Sequence, residues 1–192
     1  MMSKSLVAYF SRRGKNYTNN GIAELKEGNT EIVAKKLAGL TGSDLFEIET
    51  VQPYPDDYQQ TVAVSRQELA DNARPQLKSQ VANMAEYDVI YVGFPNWCGT
   101  MPMALFTFLE SYDFSGKKIA PFCTHGGGGT GRAEHDIKKL CPQSEILPAL
   151  SINGDRAANA DEEITKWLAK RGLKKQSIQP QLSNRSEIKI CR

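Results

Sequence analysis

Val89-Ile90-Tyr91-Val92-Gly93-Phe94-Pro95-Asn96-Trp97-Cys98-Gly99-Thr100-Met101-Pro102 is the stretch whose reading decides the fold. Its first five residues form a short unbroken apolar run, as strands buried on both faces of a parallel sheet do. The run then breaks into proline, asparagine and glycine, which mark a loop. Three further short apolar runs, at residues 6–10, 119–123 and 146–152, read the same way. A fifth, at 44–49, alternates as an edge strand exposed on one side would. Between these runs lie segments of helical spacing. Residues 30–40 carry Ile32, Val33 and Leu37 on one face, and 58–72, 103–111, 132–140 and 161–170 follow. Strand and helix alternate throughout, which implies right-handed crossovers and an α/β sandwich with helices on both faces of a parallel sheet.

A chain of 192 residues suits one domain, here expected over residues 1–172 with a polar tail at 173–192. The tail contains Pro180 and has no clear period, and loose packing is expected for it. Net charge is +2, too small to point to nucleic acid, a membrane surface or an acidic partner. Cys98, Cys123, Cys141 and Cys191 are scattered without a C-x-x-C pair or a histidine cluster, so no metal site and no disulfide framework is expected. No apolar stretch is long enough for a signal peptide or a membrane span, and a cytoplasmic location is the expectation.

In an open parallel sheet, ligands bind beyond the carboxyl ends of the strands, where strand order reverses. The loops after the first, third and fourth runs are therefore decisive. The first run ends in Ser11-Arg12-Arg13-Gly14, and Gly28-Asn29-Thr30 opens the following helix. Small polar side chains, a glycine and a helix N-terminus make an anion cradle. A plain helix cap by Asn29 or Thr30 is the competing reading. Between the two lies an insert, residues 15–27, whose Asn20-Gly21 pair favours a type I′ hairpin standing over the sheet's edge. After the third run, Trp97 sits between two prolines, either as a loop anchor or as a stacking platform for a planar ring. The fourth run ends in Thr124-His125-Gly126-Gly127-Gly128-Gly129-Thr130-Gly131, where glycine lets the backbone lie flush against a flat ligand. His125 is expected to contribute its backbone, since no carboxylate stands nearby in sequence to orient its ring.

Other chemistries are excluded by position or absence. Gly126, Gly128 and Gly131 satisfy G-x-G-x-x-G, but they follow the fourth strand, whereas the dinucleotide fingerprint belongs to the first strand–helix turn. Asp155 alone keeps that reading alive. There is no G-x-S-x-G nucleophile elbow and no G-x-x-x-x-G-K-[ST] phosphate loop. A receiver domain needs an aspartate ending its third strand, where this chain has Gly93-Phe94-Pro95.

Taken together, Ala8-Tyr9-Phe10-Ser11-Arg12-Arg13-Gly14, Gly28-Asn29-Thr30, Tyr54-Pro55-Asp56-Asp57-Tyr58, Phe94-Pro95-Asn96-Trp97 and Thr124-His125-Gly126-Gly127 resemble the flavodoxin-like family, in particular its short bacterial members. The resemblance covers residues 6 to about 172. It implies a three-layer sandwich with a five-stranded parallel sheet in the order 2-1-3-4-5, and FMN as cofactor. Carried over by position, Ser11, Arg13, Asn29 and Thr30 would hold the phosphate. Pro95, Asn96, Trp97, Cys98 and Gly99 would cover one side of the flavin. Thr124, His125, Gly126, Gly127 and Gly128 would line its other edge and the ribityl chain. The insert splits the usual phosphate loop, and Cys98 stands where such proteins often carry a second aromatic. Asp56 or Asp57 also reads as the cap of the second helix.

The resemblance implies electron transfer through bound flavin with no catalytic side chain, by a monomer or homodimer serving a redox partner protein. The alternative it leaves open is an NAD(P)H-dependent FMN oxidoreductase acting on quinones or nitro compounds. A flavin-free binding module on the same fold is the third reading. Neither flavin loop contains Asp or Glu, so a midpoint potential less negative than that of strongly acidic flavodoxins is expected.

Overall fold

The computed structural model describes residues 4–173. The chain alternates β1 (Ser5–Tyr9), a two-stranded hairpin of β2 (Gly14–Thr18) and β3 (Gly21–Leu25), α1 (Asn29–Thr41), β4 (Asp44–Glu47) and α2 (Tyr58–Ala70). Then follow β5 (Val89–Pro95), α3 (Met103–Glu110), β6 (Lys118–His125), α4 (Ala133–Leu140), β7 (Glu145–Ile146), β8 (Leu150–Asn153) and α5 (Asp161–Lys170). The main sheet runs β4-β1-β5-β6-β7, with β8 also on β6, and every pairing is parallel. Counted by sheet position, this is the order 2-1-3-4-5.

Alternation along the strands divides the interior into two cores. Leu6, Ala8 and Phe10 of the first strand and its exit, with Ile90, Val92 and Phe94 of β5, face α3 and α4, burying Leu105, Phe108 and Ile137. Val7, Tyr9, Val89 and Tyr91 face α1 and α5, where Val33, Leu37, Ile164 and Trp167 pack. A fully buried aliphatic side chain contributes about 1.5–3 kcal/mol, so these two layers hold the sandwich together. Local sequence sets the helix ends. Asp57, one of the two expected caps, accepts the Gln60 N–H at 2.9 Å to start α2. Gly42 closes α1 in the left-handed conformation, its N–H bonding Ala38 O.

The fifth strand departs from expectation. Instead of one strand over 146–152, β7 and β8 are two segments separated at Leu147-Pro148-Ala149. Pro148 has no N–H to give the ladder. The break is tied down from outside, since Trp167 Nε1 donates to Pro148 O at 2.9 Å and the Ala149 N–H meets the Glu134 carboxylate. The insert is a hairpin as expected, antiparallel from Gly14↔Leu25 to Thr18↔Gly21, and separate from the main sheet. Its turn differs from the expected type I′ pair Asn20-Gly21: the two turn residues are Asn19 and Asn20, neither with positive φ, and the left-handed residue is Gly21 at φ 98°, already paired with Thr18. Apart from Leu173, the expected tail lies outside the described residues.

Candidate functional site

The carboxyl ends of β1, β5, β6 and β8 meet at one edge of the sheet, and a cleft of about 290 Å³ opens there. That volume is close to the lower bound of about 300 Å³ for small-molecule sites. One end is the start of α1. Gly28 precedes it, and a side chain there would fall 2.1 Å from Ser11 Oγ and 2.6 Å from Arg12 O, so only glycine permits the loop to fold back on the helix. Ser11 Oγ accepts the Glu31 N–H at 3.0 Å. The cap is therefore Ser11, from outside the helix, and neither Asn29 nor Thr30. The amides of Asn29 and Thr30 have no acceptor among the described residues, and both residues line the cleft at the positive end of the helix dipole. Thr30 Oγ1 lies 2.7 Å from Thr124 Oγ1, coupling this end to β6.

The two adjacent arginines separate. Arg12 lines the cleft, its guanidinium donating to the carbonyls of Lys15, Pro55 and Asp56. Arg13, expected at the phosphate, turns away and pairs with Glu47 at 2.8 Å and Glu31 at 2.9 Å. The burial of Glu31 explains the choice: a carboxylate only 6% exposed needs a cation, and Arg13 and Lys35 supply two.

Beyond β5 the backbone makes a two-residue turn, with Trp97 and Thr100 exchanging N–H···O bonds of 2.9 and 3.0 Å. Cys98 and Gly99 both have positive φ, 53° and 79°, as a type I′ turn requires. The turn directs Cys98 away from the cleft, its Sγ 3.4 Å from Ser65 Oγ on α2. Neither Cys98 nor Gly99 lines the cleft, whereas Pro95, Asn96 and Trp97 do. Trp97 is held edge-on by Phe10 (centroids 5.3 Å apart) and Tyr54 (5.0 Å) while reaching the cleft. The ring is thus an anchor that also lines the cleft, the position the platform reading requires. Burial and the Glu68 carboxylate push the Tyr54 hydroxyl's pKa up, and it donates to Glu68 Oε2 at 2.8 Å, so the supporting ring stays neutral.

Asn96 ties the two loops together. Its N–H bonds Thr124 O at 2.8 Å, its side chain donates to Gly129 O at 2.6 Å, and its Oδ1 accepts the Gly99 N–H at 3.1 Å. Thr124, His125, Gly126 and Gly128 line the cleft, and Gly127 does not. The Gly127 N–H donates to His125 Nδ1 at 3.0 Å, and Nε2 lies 3.0 Å from Ser151 Oγ. Nδ1 must then be unprotonated, and desolvation holds the histidine's pKa below 6.5. Beyond the backbone contribution expected of it, His125 shapes its own loop through its ring. Cys123 beneath it is inert, burial raising its thiol to about 12.

One wall was not read from sequence: Asn153, Gly154 and Asp155 at the end of β8 enter the cleft. It had a signal, since a strand parallel to the others must release its loop at the same edge. The hairpin, expected over the sheet's edge, brings Asn16, Tyr17, Thr18 and Asn19 to the cleft. Asp155 brings a carboxylate to a cleft whose two glycine- and proline-rich loops carry none, and it accepts the Asn19 N–H at 2.8 Å.

The residues fit a phosphorylated planar ligand: free amides at a helix start, an aromatic face, and glycines where side chains would intrude. The chain matches the family described as Flavodoxin over residues 4–171. No curated protein sequence matches it. Among solved structures, a candidate flavoprotein from Bacteroides eggerthii DSM 20697 is 32% identical, with 87% of this chain and 96% of that chain covered and a TM-score of 0.68. A second, from Bacteroides uniformis ATCC 8492, is 31% identical, with coverage of 87% and 98% and a TM-score of 0.69. A flavoprotein from Lactobacillus acidophilus NCFM, solved in complex with FMN, shares the fold at 18% identity, with coverage of 86% and 98% and a TM-score of 0.59. Among the described residues, no helix is long and apolar enough to cross a membrane.

Proposed function

The chain belongs to the flavodoxin family, and from that premise we propose that it binds FMN in this cleft and carries electrons to and from a protein partner. The observation that carries the reading is the pairing, in one cleft, of the open Asn29 and Thr30 amides with the braced ring of Trp97. The amides, with the Thr30 hydroxyl and Ser11 O–H, suit a phosphate. Trp97 offers an aromatic face to the ring system, and Gly126 and Gly128 would lie along its edge. The flavin, when bound, supplies the redox chemistry; the protein's part is to hold it and tune it.

The carrier reading is favoured over an NAD(P)H-dependent reductase by the charge in the cleft. Among the described residues Arg12 is the single cationic side chain lining it, and its guanidinium already serves three carbonyls. A dinucleotide with its own phosphates would need a further clamp. The test is an absorption spectrum of the purified protein, repeated after adding FMN and then NADPH without any reductase. Flavin bands that form and persist are the expected result. Bands that bleach on NADPH would establish the reductase instead, and no bound flavin would leave only the fold.

A further inference from the structure

We infer that the β2–β3 hairpin is a cap on the cofactor cleft, with Tyr17 in contact with the bound flavin and the Asn19–Asp155 hydrogen bond as its latch. The inference rests on the FMN reading and adds to it a second aromatic contact and a gate.

The hairpin is placed as a cap would be. Its inward face holds Gly14, Asn16 and Thr18, but Tyr17 also lines the cleft, next to the glycine loop of β6. A side chain at Gly126 would fall 2.8 Å from Tyr17 Cδ1, so the insert and the glycine loop are shaped to each other. Tyr17 stands at the β6–β8 edge of the cleft. Trp97, packed on Phe10 at the end of the first strand, stands on the β1–β5 side. A flat ligand between them meets an aromatic ring from each direction. Left uncovered, Tyr17 is 51% exposed, and its cross-strand partner Ile22 is 48% exposed.

The attachments differ at the two ends of the hairpin. At its foot, the Asn16 side-chain amide donates to Arg12 O at 3.1 Å and Gly14 O at 3.0 Å, and Lys35 joins Glu27 to the buried Glu31. At its tip, the Asn19 N–H reaches the Asp155 carboxylate at 2.8 Å across 136 residues of sequence. An isolated two-stranded hairpin is marginally stable in water, and this one pairs with no strand of the main sheet. A fixed foot, a single hydrogen bond among the described residues at the tip and a ring over the ligand space describe a flap that opens from the tip.

The experiment follows FMN binding and release by flavin fluorescence in stopped flow for the wild type, Tyr17→Ala, Tyr17→Phe and Asp155→Ala, with circular dichroism on each. Both positions are on the surface of the cleft, and all four proteins should fold alike. Tyr17→Ala should release FMN about 10- to 100-fold faster, the worth of one stacked ring, whereas Tyr17→Phe stays near wild type. Asp155→Ala should speed both association and release about tenfold, since it frees the gate while leaving the ring contact. Wild-type protein that takes up no FMN overturns the function reading and the cap together. Wild-type protein that binds FMN, with Tyr17→Ala releasing it at the wild-type rate or Asp155→Ala changing neither rate, overturns the cap alone.

Discussion

On the β5–β6 side of the cleft, Asn96 bonds Thr124, Gly129 and Gly99, the Arg132 N–H bonds Gly99 O at 2.8 Å, and Trp97 is wedged against Phe10 and Tyr54. On the hairpin side, one hydrogen bond from Asn19 and the Tyr17 ring beside Gly126 hold the tip among the described residues. The first wall is built on the ends of central strands, where every neighbour is fixed by the core. The second is an excursion between a strand and its helix, and the core does not reach it. A rigid wall can preset the geometry of a planar cofactor, while a lightly held one can admit and release it.

The rigid wall can be broken at Gly131. This residue has φ of 55°, and a side chain there would fall 2.0 Å from Gly99 O. Gly131→Ala combines a backbone clash with left-handed strain, and should cost about 2–4 kcal/mol in denaturant unfolding. A loss below about 1 kcal/mol would mean that this wall yields as readily as the hairpin. Trp97→Ala tests what the bracing serves. FMN affinity should fall roughly 10- to 100-fold by fluorescence titration, at 1–3 kcal/mol for a stacked ring. Unchanged affinity would leave Trp97 an anchor only.

His125 sharpens the contrast through pH. Its pKa is depressed on folding by desolvation, so the neutral ring contributes stability above its ordinary value of 6.5, and that contribution is lost as pH falls through the lower folded value. Protonation removes the acceptor for the Gly127 N–H. FMN affinity of the wild type should therefore drop more steeply as pH falls below 6.5 than that of His125→Gln. Parallel pH profiles would detach the histidine from the loop. The smallest effect is at Cys98, a non-glycine residue held at φ 53°. Cys98→Asn gives the turn the pair it favours and should raise stability by about 0.5 kcal/mol, measured as a small upward shift in Tm.

The fold was legible because its signals are short-range. Apolar runs of strand length and the helical spacing between them each report on their own few residues, and all but the divided fifth strand were found near the expected bounds; the hairpin was found too, its turn one residue before the expected Asn20-Gly21 pair. The break at Pro148 is equally local: a residue with no N–H for the ladder is itself the mark of a divided strand, and the apolar run around it masked that mark. The site was legible in outline, since topology alone sends the loops of parallel strands to one edge.

What the sequence by itself determined is the α/β alternation, the flavodoxin resemblance and the loops that meet at the carboxyl edge. Tertiary structure alone decided which of two adjacent arginines faces the cleft. The buried charge of Glu31, some twenty residues away, claims Arg13, and no local pattern records that. It alone made Ser11 the cap of a helix to which it does not belong, and it brought Asp155 to Asn19 and Gly126 beneath Tyr17. The division has one physical reason: backbone propensity and periodicity act over a few residues, whereas desolvated charges and close packing are satisfied by whatever the fold brings within a few ångströms.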